Sequence, residues 1–134
     1  MSRRRPATSG RRSDRGSATI ELLILLPALF AVMFVGTQAA LYHHAREVAI
    51  AAAQEGARAA AGEQGSEASG TTAAASFLLD AGGDDVLAGA TVSVDRTANT
   101  AIVVVTGHSL SVLPGWNPVV RQRASMPVER MTTP

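Results

Sequence analysis

Residues 16–61 read GSATIELLILLPALFAVMFVGTQAALYHHAREVAIAAAQEGARAAA, and this stretch decides the fold. Leu22 to Gly36 holds no charge and no side-chain amide. As a helix rising ~1.5 Å per residue, that run alone falls short of the ~30 Å hydrocarbon core of a bilayer. Thr37, Gln38, Ala39, Ala40 and Leu41 extend it to about 20 residues, giving a span over about 22–41. Tyr42, His43 and His44 then form a polar-aromatic rim where the interface should fall. Pro27 is tolerable inside a membrane helix and predicts a kink.

The helical pattern continues past the rim. Ala45 to Ala61 has no proline and is dominated by alanine, the strongest helix former. Ala45, Ala49, Ala53, Ala57 and Ala61 recur every four residues, with Ala52, Gly56 and Ala60 as a second row beside them. Small residues at this spacing let another backbone come close, which marks Ala49, Ala53 and Gly56 as an assembly seam for a partner helix. Polar residues lie between the rows, with His43 and Glu47, Gln54 and Arg58, and Glu55 and Arg58 within helical reach of one another. One continuous helix over 17–61 is predicted, a transmembrane segment running into a stalk.

Upstream, Arg3, Arg4, Arg5, Arg11, Arg12 and Arg15 stand against one acid, Asp14. This is a basic leader over 1–16, too poor in apolar surface to fold alone. A basic flank before a first apolar helix keeps the N-terminus in the cytoplasm and sends the downstream chain out. Past the stalk, GEQGSEASG at 62–70 reads as a break, and residues 62–71 as a linker. Thr71 or Thr72 can cap a short helix ending near Ala81 before Gly82-Gly83. Thr91 to Asp95 alternates as a strand, and Ala101 to Thr106 reads as its partner across a Thr97–Thr100 turn. Val120 to Val128 alternates as a third strand, with Pro127 at a sheet edge. The fold class is thus membrane-anchored α+β. A long N-terminal transmembrane and stalk helix carries a small extracytoplasmic domain, 72–130, with one short helix and about three antiparallel strands. Trp116, between Pro114-Gly115 and Asn117-Pro118, reads as a loop anchor packed on that sheet.

Composition narrows the function. Of 134 residues, 46% are apolar, 17% charged and 4% aromatic, and the net charge of +1 gives no field that would draw nucleic acid. The chain has no cysteine, so a disulfide framework, a thiolate zinc site and a cysteine nucleophile are excluded. His43 and His44 are adjacent, so they point about 100° apart on a helix and chelate one metal poorly. Asp80, Asp84 and Asp85 lack the alternating ligand spacing of a calcium loop. No nucleophile–base set, phosphate loop or cofactor signature is present, so no catalytic residue, metal or cofactor is assigned.

The chemistry-bearing junction is Gly16-Ser17-Ala18-Thr19-Ile20-Glu21, just before Leu22. Physically, Glu21 can be the start of a helix whose positive dipole end favours an acid. Gly-x-x-x-x-Glu before an apolar helix also resembles the cleavage site of type IV prepilins. The wider order resembles the TadE-like family of tight-adherence pilus assembly proteins: this start, a proline-containing apolar helix, then Ala53-Gln54-Glu55-Gly56-Ala57-Arg58. Ala124-Ser125-Met126-Pro127-Val128-Glu129 is similar to the close of many members. The resemblance implies cutting after Gly16 by a prepilin peptidase, Ser17 as the new N-terminus, and Glu21 meeting a freed amine of a neighbour. It implies a non-catalytic role in pilus assembly through helix packing and outer-domain contacts. The implied partners are membrane lipid, pilus or secretion-system proteins, and further copies or relatives packed helix to helix. Ile20-Glu21-Leu22 lacks the Glu-Tyr pair of the major pilins, and the outer domain makes the chain larger than they are, so the resemblance points to a minor pseudopilin. Two alternatives stay open. One is a secreted small domain cut from a signal at Thr37-Gln38-Ala39, the other an envelope protein anchored in the membrane and unrelated to pili.

Overall fold

The computed structural model describes residues 13–131; most of the basic leader and the last three residues lie outside it. The chain divides after Val35 into two units. Helix α1, Ser13–Ala61, begins in the first and ends in the second.

The described residues of the first unit, 13–35, are all helix. Helix is present from Ser13, upstream of the expected start at Ser17. Its large apolar side chains from Ile20 to Val35 are exposed, Val32 at 71%. The most apolar window has a mean hydropathy of 2.4 and no buried residue. Leaving such side chains in water costs about 1.5–3 kcal/mol each, so the helix needs an apolar surround. It has the length and composition of a single membrane span.

The second unit builds a small α+β domain on the rest of α1. Helix α2 is Glu67–Asp80, followed by a 3-10 turn at Gly83–Asp85. Strands β1 (Leu87–Arg96), β2 (Thr100–Ser109) and β3 (Val119–Pro127) form an antiparallel meander in that order. Val94 pairs with Val103, and Val103 with Ala124, so these side chains share one face of the sheet. That face and the alanine face of α1 make the core: Ala45, Ala49, Ala52 and Ala53 pack with Leu78, Leu87, Val103, Val105 and Val120. The expected fold class is what the structure shows.

Some details differ from the sequence reading. Helix α2 begins at Glu67, capped by Ser66, not at Thr71 or Thr72. Ser66 Oγ accepts from the Ser69 amide at 3.1 Å, while Ser69 Oγ accepts from the Ser66 amide at 2.8 Å. This reciprocal pair satisfies two free donors at the helix start, which a serine at the third position can do as glutamate does. Trp116 is 52% exposed and takes no part in the core, so it is not packed on the sheet. Tyr42, read as part of the interfacial rim, packs against the core.

The C-terminal end of α1 is closed by three other parts of the domain. Ser69 Oγ donates to the Ala59 carbonyl (3.3 Å), Arg96 Nε to Ala60 (2.7 Å) and the Glu129 amide to Ala61 (2.9 Å). The guanidinium also opposes the negative end of the helix dipole. Arg96→Ala is expected to destabilise the domain by about 1–3 kcal/mol, because a charged donor to a partly buried carbonyl is lost. Thermal denaturation of the detergent-solubilised protein measures it, and an unchanged midpoint would show that the cap contributes nothing.

Candidate assembly site

Gly16, Ser17 and Glu21 all lie on α1 in the first unit, and all are exposed. The peptide bond after Gly16 lies within α1, where glycine weakens helix by about 1 kcal/mol relative to alanine. A Cβ added at Gly16 meets nothing within 4 Å, so the described chain itself does not require glycine there. Glu21 heads the exposed apolar run, with Leu22 next to it at 63% exposure. Among the described residues it has no hydrogen-bond or ion-pair partner. An acid so placed invites a cation from another molecule.

The small-residue seam lies in the second unit. Ala49 and Ala53 are fully buried, and Gly56 is buried with them. The backbone that approaches them is the chain's own. A Cβ at Gly56 would stand 2.9 Å from Ala74 Cβ, 2.9 Å from the Gly70 carbonyl oxygen and 3.2 Å from Val103 Cγ1. A Cβ at Gly70 would stand 2.8 Å from Ala60 Cβ and 2.9 Å from the Gly56 carbonyl oxygen. Helices α1 and α2 therefore cross in backbone contact at Gly56 and Gly70. The sequence reading placed Gly70 in a flexible break and missed this. The available signal was Gly70 and Ala74 four apart, the same small-residue spacing as in α1. Of the neighbouring polar residues, Glu55 takes Arg58 as an exposed ion pair, and Gln54 does not.

Of the acid cluster Asp80, Asp84 and Asp85, Asp84 braces the backbone. Asp84 accepts the Gly89 amide through Oδ1 at 3.1 Å, supporting the bulge between Ala88 and Thr91 where Gly89 has φ +60°. Among the described residues no group of three or more His, Cys, Asp or Glu is placed to hold a metal ion. An open groove of about 350 Å³ between α2 and β1 is lined mainly by apolar groups such as Leu78, Leu79, Ala90 and Val92.

A long exposed apolar helix followed by a small α+β domain fits a membrane-anchored protein. A family model described as TadE-like protein matches residues 16–58, so that stretch is similar to the family. The match opens on Gly16 and ends on Arg58, the two ends of the motif order read from the sequence; the close at Ala124–Glu129 lies beyond it. No curated protein and no solved structure matches the chain.

Proposed function

We propose that the protein is a minor pseudopilin of a tight-adherence pilus, a non-catalytic subunit anchored in the cytoplasmic membrane with its N-terminus inside and its C-terminal domain outside. The observation that carries this reading is Glu21, without a partner among the described residues, at the head of an exposed apolar helix, five residues after Gly16 in a segment similar to the TadE-like family. Cutting after Gly16 removes the arginines of the leader and creates an amine at Ser17. In an assembly, that amine on one subunit neutralises Glu21 on the next, because a carboxylate in an apolar bundle needs a partner. Ala49, Ala53 and Gly56 serve assembly in this reading by fixing the outer domain on the helix, so that its contacts with pilus or secretion-system proteins have one geometry.

Glu21→Ala tests it in cells that make the pilus. The variant is expected to insert in the membrane as well as the wild type, since removing an acid at a span edge lowers the transfer cost. It is expected to be lost from sheared pilus fractions and from crosslinked complexes with pilus components. Wild-type incorporation of the variant would sink the proposed pairing.

A further inference from the structure

We propose that the β2–β3 loop, Leu110 to Pro118, together with Val119 at the start of β3, is a second membrane contact, seated at the outer boundary between acyl chains and headgroups with Trp116 as its anchor. The sequence of this stretch, LSVLPGWNPV, contains no charged residue. It exposes Leu110 at 38%, Val112 at 38%, Trp116 at 52% and Val119 at 58%. Within the second unit these are the large apolar side chains left open close together in the chain, and the domain core uses none of them.

What gives the loop its occupant is where it is tied. Gln38 of α1 is 2% exposed. Its Oε1 accepts from the Val112 amide at 2.9 Å and from Ser111 Oγ at 3.1 Å, and its Nε2 donates to the Leu110 carbonyl at 3.2 Å. One side chain therefore holds three consecutive loop residues. Gln38 lies three residues after Val35, the last large side chain of the exposed apolar run, a rise of about 4.5 Å. On a span of about 22–41 the hydrocarbon edge falls near Leu41, only about 4.5 Å past Gln38, so a loop fixed at Gln38 sits at the boundary between acyl chains and headgroups. A buried glutamine with both ends engaged is a specific clamp, since releasing it would strand polar atoms against the helix.

The tip is built for that setting. Leu113-Pro114-Gly115-Trp116 is a tight turn, closed by the Trp116 amide donating to the Leu113 carbonyl (3.4 Å) with Gly115 at φ +79°. Proline followed by a positive-φ glycine is the type II pattern. The turn presents an indole, whose apolar body and single N–H donor suit the boundary between chain and headgroup. The sequence assigned that boundary to Tyr42; the core takes Tyr42, and Trp116 stands in its place. A protein partner could also cover an apolar loop, but the tie at the end of the apolar run favours lipid.

Trp116 is the chain's sole tryptophan, so its fluorescence reports the loop directly. The full protein is reconstituted in phosphatidylcholine vesicles, with no pilus component present. Expected are a blue-shifted emission, quenching by phosphatidylcholine brominated near the headgroup end of its acyl chains, and weak quenching by aqueous iodide. Gln38→Ala, checked for an intact domain by circular dichroism, is expected to lose lipid quenching and gain iodide quenching. Strong iodide quenching without bromolipid quenching in the wild type overturns the proposal. So does protection from both quenchers, which would place Trp116 against protein. Undiminished lipid quenching in a folded Gln38→Ala variant removes Gln38 as the positioning residue and with it the argument. None of these outcomes bears on pilus assembly.

Discussion

Gly56→Leu is expected to abolish folding of the outer domain while leaving membrane insertion intact. Even the first added carbon lands 2.9 Å from a backbone oxygen and 2.9 Å from Ala74 Cβ, with Val103 Cγ1 closing the third side at 3.2 Å. Two of these neighbours are the backbone of α2 and a short side chain, neither of which can rotate away. The helices must part, and the alanine layer between α1 and the sheet parts with them. Overpacking of this kind costs typically about 1–3 kcal/mol per misplaced group and more for a whole isobutyl chain. A domain of this size has only a few kcal/mol in hand. The gain in helix propensity on leaving glycine, at most about 1 kcal/mol, does not offset it. Gly56→Ala should show the same effect in graded form, with a lowered but measurable melting transition. Ala53→Leu should behave like Gly56→Leu, because Ala53 is fully buried in the same layer. Limited proteolysis and thermal denaturation decide it. If Gly56→Leu folds with a wild-type melting point yet fails to assemble, the glycine serves a second molecule and the crossing with α2 is not what constrains it.

Gly16→Val is expected to leave the leader attached. In cells with a cognate prepilin peptidase, the wild type should yield a mature chain starting at Ser17, and the variant a chain starting at Met1. The physical grounds are local. Gly16 has open space around it, so valine should do no harm to the described chain, yet a β-branched side chain beside the cut must enter the peptidase site. The bond follows a glycine, which weakens the helix there by about 1 kcal/mol relative to alanine. Intact mass of the membrane-extracted protein reads the result as all or none. Because the peptidase acts from the cytoplasmic side, cleavage would also fix the N-terminus inside. A mature start at Ala40 would instead favour a cleaved secretory signal. An uncut wild type in a pilus-producing host would remove the processing step and leave the membrane anchor.

Much of this protein was legible along the chain because its signals are local. An uninterrupted apolar run can only be a helix that hides its backbone from lipid. Alternation in Thr91–Asp95 and Val120–Val128, where side chains two apart share a face, and the β-branched run Ala101–Thr106 between them mark three strands. The junction at Gly16 and Glu21 is equally local, a short motif read in order. What the sequence could not assign was the partner of each surface. Alanine and glycine have too little side chain to announce a direction, so the rows at Ala49, Ala53 and Gly56 fit a foreign helix as well as α2. Only the fold brings Gly70 to Gly56 and spends the seam inside the chain. The same holds at Gln38, whose partners in the loop lie more than 70 residues away. As a lone amide next to an apolar run it reads as the tail of the span, and it becomes a clamp only when β2 and β3 deliver Leu110, Ser111 and Val112 to it. Periodicity records which face of an element avoids water; which other element covers that face depends on shape and chain closure, and these exist only in the folded molecule.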